Sequence, residues 1–321
     1  MNQKTEPIPH IEQEIVTVRP IQEADFERVR LLLLESTALT PPGFNWNIRR
    51  WEGCRWYNPA AAGNPDWNRN SWLWETAAGQ PVGLVHPEDQ SHAALQVHPD
   101  YRWLETEMIN WAEQTLAENG RLHFFVYDYD IHRRRILQER GYCKTDESGG
   151  CYHIRVGQQS LTTTQLANGY TLRATNPDVG RDAQQIADLL NAAFNRTFHT
   201  GLEYQQFTRN ATCFVRELDL VAVAEDGRFA AYVGIPYEGT NRRGIFEPVC
   251  THPDHRQKGL AKALMVEGLR RLKARGAVDV IVETGDMIPA NALYTSLGFT
   301  ELYKGCYWCR NKPERRQTNV W

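Results

Sequence analysis

Two stretches of this chain repeat each other. His98-Pro-Asp-Tyr-Arg102 and His252-Pro-Asp-His-Arg256 lie 154 positions apart, and the same offset brings Val16-Thr-Val-Arg19 onto Tyr170-Thr-Leu-Arg173. A third pair, Gly141-Tyr142 and Gly298-Phe299, is offset by 157. Three matches in one order at nearly one spacing imply an internal duplication, which restricts the fold to two copies of whatever one copy can build. The expected division is a first copy at 1–157, a polar linker at 158–167 and a second copy at 168–321. At 321 residues in all, each half is long enough for its own core.

Each copy reads as mixed α/β. In the second, 170–174 is expected as a strand, and 181–194 places Ile186, Leu189, Leu190 and Phe194 on one helical face. Strands at 220–225 and 229–236 flank the turn Glu225-Asp-Gly-Arg228. A strand at 244–251, a helix at 259–275, a strand at 278–283, a short helix at 289–297 ended by Gly298, and a strand at 300–309 complete the reading. The long helix repeats Leu260, Leu264, Met265, Leu269 and Leu272 on one face, and the basic residues of its final turns suit the negative end of the helix dipole.

Composition excludes several classes. Hydrophobic residues are 41%, charged residues 23% and the net charge −3, the balance of a folded globular chain and not of a nucleic-acid binder. Arg133-Arg-Arg135 is the only basic run and reads as a solvated helix face. Charge is nevertheless uneven: 1–157 holds 16 basic and 22 acidic side chains, so a polyanionic ligand should prefer the second half. Neither a signal peptide nor a membrane span is expected, because no apolar run opens the chain and none reaches 18 residues. Seven scattered cysteines read as reduced thiols in a cytoplasmic protein. Cys306-Tyr-Trp-Cys309 lies in an alternating strand that turns its two thiols to opposite sides, and the histidines lack ligand spacing, so no metal is expected.

The chemistry concentrates between the strand at 244–251 and the long helix, in His252-Pro-Asp-His-Arg-Gln-Lys-Gly-Leu-Ala261. A turn entering a helix leaves unpaired N–H groups pointing outward, where a phosphate or pyrophosphate binds. Gly259 lets the main chain approach a ligand, Ala261 keeps the next turn uncrowded, and Arg256 and Lys258 add positive charge. Taken alone, this describes many strand-to-helix turns.

The ordered set is more specific. Arg256-Gln-Lys-Gly259-Leu-Ala261 resembles the R/Q-x-x-G-x-G/A pyrophosphate motif of the GNAT acyltransferases, with Ala in the last small position. Asn291-Ala-Leu-Tyr294-Thr-Ser-Leu-Gly298-Phe299 resembles the family's second signature. The resemblance implies two tandem GNAT folds, a layout similar to the family's two-copy members, and acetyl-CoA as cosubstrate. It implies that the loop Arg256, Gln257, Lys258, Gly259, Leu260, Ala261 and Lys262 binds the coenzyme A pyrophosphate, and that the main chain of Val249, Cys250 and Thr251 pairs with the pantetheine. Asn291 would contact the arm near its thiol end, and Tyr294 would protonate the departing thiolate. A phenol of pKa about 10 can stabilise charge on a thiol of pKa about 8.5 without ionising at neutral pH.

The implied acceptor is an amine, on a small molecule or a protein, which must lose a proton before it attacks. Glu247 is the candidate base, sharing a face with Val249 and Thr251 by strand alternation. Glu283 is a rival, and some family members use no dedicated base. The different class of reading is a non-catalytic acyl-CoA-binding or regulatory protein on the same fold.

In the first copy the chemistry is expected to be lost. Glu105 and Glu107 stand where Gly259 and Ala261 do, and Leu137 and Arg134 where Tyr294 and Asn291 do. Six of the ten tryptophans lie between Trp46 and Trp74. That segment, with Arg49, Arg50 and Arg55, either covers the acceptor pocket of the second copy or forms a local core.

Overall fold

The computed structural model describes residues 14–58, 63–89, 91–157 and 165–311; the first thirteen residues and most of the linker lie outside it. The first copy runs β1 (Val16–Pro20), α1 (Asp25–Leu39), α2 (Ile48–Trp56), β2 (Trp72–Thr76), β3 (Pro81–Asp89), β4 (His92–Val97), α3 (Glu105–Thr115), β5 (Arg121–Tyr127), α4 (Ile131–Glu139) and β6 (Cys143–Arg155). The second runs β7 (Tyr170–Ala174), α5 (Gly180–Phe194), α6 (Gly201–Asn210), β8 (Leu220–Ala224), β9 (Phe229–Val233), β10 (Tyr237–Glu238), β11 (Arg243–Ile245), β12 (Val249–Thr251), α7 (Leu260–Ala274), β13 (Asp279–Gly285), α8 (Ile288–Ser296) and β14 (Glu301–Asn311). The two series correspond element by element up to a division of two strands in the second copy, where β9 and β10 stand for β3, and β11 and β12 for β4. No helix among the described residues is long and apolar enough to cross a membrane.

The copies exchange their last strands. One sheet has the order β1-β2-β3-β4-β5-β14-β6-β13-β11-β10, and a second has β12-β9-β8-β7. Thus β14 of the second copy pairs with β5 of the first, Trp308 opposite Phe124, while β6 of the first pairs with β13 of the second, Glu283 opposite Cys151. The two exchanged strands also pair with each other. Trp308 and Cys306 are therefore buried in the first copy's core, and Tyr152 and Ile154 in the second's.

An ion cluster closes this exchange. Buried His153 of β6 stands 3.1 Å from Asp279 of β13 and 2.8 Å from Glu301 of β14, and Arg243 of β11 also binds Asp279 at 2.7 Å. Burial opposes a charge on His153, but its two carboxylate partners outweigh it and raise the pKa. Burial likewise opposes the Asp279 charge, yet His153 and Arg243 hold that pKa down to about 2, so the partner stays ionised. A histidine pKa raised by folding stabilises fully below its unfolded value of about 6.5, and the contribution disappears as pH climbs through the folded value. His153→Gln is accordingly expected to cost about 1–2 kcal/mol at pH 5.5, chiefly through Asp279 because Glu301 is half exposed, and less at pH 9. Denaturation midpoints at both pH values check this; a gap of equal size at each overturns it.

The strand expected at 244–251 changes neighbours midway. Through Phe246 it bonds to β13, whose Ile281 carbonyl accepts from the Phe246 amide at 2.9 Å. From Glu247 it bonds to β9, the Glu247 amide donating to Gly234 O at 2.9 Å and the Gly234 amide to Pro248 O at 3.0 Å. The two sheets part at this point. Pro248 has no N–H and cannot continue a central ladder, so the physical reason for the break stands in the sequence.

Candidate active site

The helix α7 starts at Gly259, in the left-handed region at φ +72°, and no side chain caps its first turn. Gln257 is also left-handed, at φ +62°, so the chain curls with its amides ahead of the helix, an anion-binding concavity. Gln257, Lys258 and Gly259 are exposed, whereas Leu260 anchors the helix in the core. Arg256 donates to Ala193 O at 3.0 Å and Lys258 to the Tyr170 hydroxyl at 2.8 Å, which fixes two cations beside the loop. His252 accepts from the Asp254 amide at 3.3 Å and His98 from Asp100 at 3.3 Å, so the repeated His-Pro-Asp caps a turn in both copies.

From the loop an open edge leads inward. Pro248 O and the His252 amide bond to β9, so by antiparallel alternation Cys250 also faces β9, leaving the N–H and C=O of Val249 and Thr251 on the free side of β12. Of the three strand residues expected to pair with pantetheine, two present their main chain to the gap, and Cys250 does not. On α8, one turn before Tyr294, the Asn291 side-chain oxygen is shielded from solvent and has no hydrogen-bond partner among the described residues. An uncapped helix start followed by a free strand edge fits a diphosphate joined to an amide-bearing arm.

The path opens into a cavity of about 900 Å³ whose walls include Glu247, Val249, Glu283 and Tyr294. Tyr294 is buried against Tyr152 of the exchanged strand, ring centroids 5.6 Å apart, and against Phe299. Burial pushes its phenol up to about 12, which keeps the proton on at neutral pH. Glu247 sits at the strand break itself, so its position comes from the change of neighbours and not from alternation along one strand. Burial raises the pKa of Glu283, Arg50 draws it back, and the charge on Glu247 adds to the rise. A cationic amine arriving between these carboxylates would relieve that strain.

The first copy supplies part of this wall. Arg49, Gly53 and Tyr57 recur every four residues along α2 and line the cavity together with Trp46 and Arg50. Arg49 is buried, its guanidinium 4.4 Å from the Phe207 ring and 4.9 Å from the Tyr57 ring. It lies so close along α2 that a Cβ at Gly53 would come within 2.3 Å of it. Burial opposes its charge, but Glu247, together with Tyr57, Cys213 and Tyr232, outweighs it and raises the pKa. Trp51 and Arg55 take the other side of α2: Trp51 stacks on Phe26 at 5.1 Å, and Arg55 covers Phe26, Trp56 and Trp67. The tryptophan-rich segment is therefore divided between two helix faces, one lining the cavity and one packed in a local core. His199 lines the cavity as well, bound to Glu203 at 2.8 Å, and nothing in its sequence surroundings marks it.

The corresponding groove in the first copy is filled by its own side chains. Glu105, in the place of Gly259, is completely buried and accepts from Arg102 at 2.6 Å and Arg133 at 2.9 Å. Val97 corresponds to Thr251, and here the Asn45 side chain donates to its carbonyl at 2.9 Å and accepts from its amide at 3.0 Å. That pair of bonds is the one a pantetheine amide would make. Leu137 is buried where Tyr294 stands in the second copy. Among the described residues, no group of His, Cys, Asp or Glu could hold a metal ion.

Residues 183–299, from α5 past the end of α8, match the model of the Acetyltransferase (GNAT) family. The chain is 27% identical over 246 residues to the mycothiol acetyltransferase of Saccharomonospora viridis, covering 70% of this chain and 78% of that protein. Over 92 residues it is 32% identical to the streptothricin acetyltransferase of Streptomyces lavendulae, covering 26% of this chain and 49% of the other. Among solved structures, a tandem GNAT protein from the clavulanic acid biosynthesis pathway matches at TM-score 0.63 and 16% identity, covering 92% of this chain and 98% of its own. A GCN5-related N-acetyltransferase from Sphaerobacter thermophilus matches at 0.62 and 19% identity, covering 92% and 95%. Family match, whole-chain fold likeness and duplicated architecture agree: the second copy carries the match to the Acetyltransferase (GNAT) family, the whole chain shares the fold of tandem GNAT proteins, and these likenesses support an acyltransferase of the acetyltransferase kind.

Proposed function

We propose that the second copy transfers an acetyl group from acetyl-CoA to an amine by direct attack, with the first copy acting as a wall of the acceptor pocket. The observation that carries this reading is the convergence of the free edge of β12 at Val249 and the hydroxyl-bearing Tyr294 on a cavity that also holds Glu247. The thioester supplies an activated acyl carbon. Glu247 takes a proton from the acceptor ammonium, the freed nitrogen bonds to the acyl carbon, and the carbon–sulfur bond breaks as Tyr294 gives its proton to the sulfur. The second proton shed by the nitrogen as it becomes an amide restores the Tyr294 phenol through solvent, and Glu247 returns its own proton to solvent. Arg49 balances the charge of Glu247, and the aromatic faces of Trp46 and Tyr57 receive the acceptor. The seven free thiols suit a cytoplasmic setting.

The domain boundaries at 1–157, 158–167 and 168–321 remain a proposal about ancestry and not about folding units, since each copy completes its sheet with a strand of the other. Thiol release from acetyl-CoA with a broad panel of amines tests the function. Turnover with at least one class of amine is expected; coenzyme A binding without turnover across the panel would instead favour a non-catalytic acyl-CoA sensor.

A further inference from the structure

The cavity does not end with the second copy. Beyond α2 it continues between β4 and β5 of the first, where Leu95, Phe125, Tyr127, Tyr129 and Arg133 form its walls. Those strands are joined by a single parallel pair, His92 with His123, so they part as β12 and β13 do. The gap is an inherited cofactor slot, closed to a cofactor by Asn45 on its edge and by Glu105 at its phosphate end. It has nevertheless stayed open towards the reacting centre. A volume of about 900 Å³ is at the upper end of the roughly 300–1,000 Å³ usual for ligand pockets, more than a thioester arm and a small amine require.

The walls of this gap define what it can hold. Tyr127 and Tyr129 stack at 5.5 Å and present flat apolar surface. Arg133 stands in the place of Ala290 of the second copy and is 6% exposed. Its Nε donates to Glu105, while its Nη2 has no partner among the described residues. A buried N–H without an acceptor is costly, and a ligand oxygen would recover that cost. Arg102 and Arg133 are already balanced by Glu105 and Asp130, so the missing partner need carry no charge.

We infer that the acceptor is an elongated amine whose tail lies in the first copy's strand gap, where Arg133 donates a hydrogen bond to a neutral tail oxygen, a carbonyl or a hydroxyl. This rests on the reading of the second copy as the transferase. The duplication then has a use: the degenerate cofactor slot has become a specificity subsite for the acceptor of its neighbour.

The test compares kcat/KM for glycinamide, tetraglycinamide and 1-aminoheptane, followed by thiol release. The wild-type chain is expected to prefer tetraglycinamide over both others at least tenfold. Arg133→Met removes the donor, and Ala94→Phe, at another position lining the gap, narrows it without touching the ion cluster; both are expected to bring the preference close to unity. A wild-type preference near one, or a preference that survives in either folded variant, overturns the tail site while leaving the transferase standing. Thiol release with none of the three amines would count against both.

Discussion

Gly259→Glu is expected to weaken coenzyme A binding by at least 100-fold while the chain still folds. Two effects combine. A side chain at φ +72° is strained by about 1–2 kcal/mol, although nothing lies within 4 Å of the position its Cβ would take. The larger effect is electrostatic, because a carboxylate would stand at the mouth of the amide nest that receives a diphosphate. The same carboxylate is favourable at the start of a helix, so α7 itself should be stable. The first copy has already carried out this substitution at Glu105 and compensated it with Arg102 and Arg133. Titration calorimetry is therefore expected to give one site per wild-type chain. Gly259→Ala should retain most of the affinity, because it adds strain without charge. Two sites per chain, or a Gly259→Glu variant that binds within a few-fold of wild type, would break the assignment of the loop.

The phosphate loop is legible from sequence because everything that makes it is local. The strand end, the left-handed Gly259 and the apolar stripe of α7 follow one another within about thirty residues, and hydrophobic spacing defines the helix. The faces of α2 follow a period of four, Arg49, Gly53 and Tyr57 on one side and Trp51 and Arg55 on the other, but the expectation that takes Arg49, Arg50 and Arg55 together does not separate them. Pro248 also carried its message, and a strand drawn straight through it overlooks the missing donor.

The exchange of β6 and β14 was not legible. Both are long strands, and either could close either sheet by the local rules of strand pairing. Partner choice depends on contacts more than a hundred residues apart, such as Trp308 beside Phe124 and His153 between Asp279 and Glu301. The delivery of Arg49 towards Glu247 is non-local in the same way. A basic residue on an amphipathic helix has no sequence signal for which carboxylate it will face. For this reason the second copy's motifs point to the proposed cofactor path, while the cavity walled by both copies emerges only from the fold.

Tyr294→Phe should separate binding from chemistry. The ring is buried between Tyr152 and Phe299, and phenylalanine preserves that packing, so neither stability nor coenzyme A affinity should change more than about twofold. What is removed is the proton donor at the departing sulfur. Loss of a positioned acid costs about 10²–10⁴ in rate, so kcat is expected to fall at least 100-fold with the coenzyme A dissociation constant unchanged. The pH profile makes the assignment sharper. With its phenol pushed up to about 12, Tyr294 stays protonated throughout the working range, and the wild-type rate should show no alkaline decline from this group below about pH 10. The free thiolate is a competent leaving group once the medium is basic enough that it need not be protonated. The deficit of Tyr294→Phe should therefore shrink at high pH, where the wild type gains nothing further from its acid. A variant with wild-type kcat at pH 7 would mean that the thiolate leaves unassisted, and the phenol would then be a packing residue whose hydroxyl merely faces the cavity.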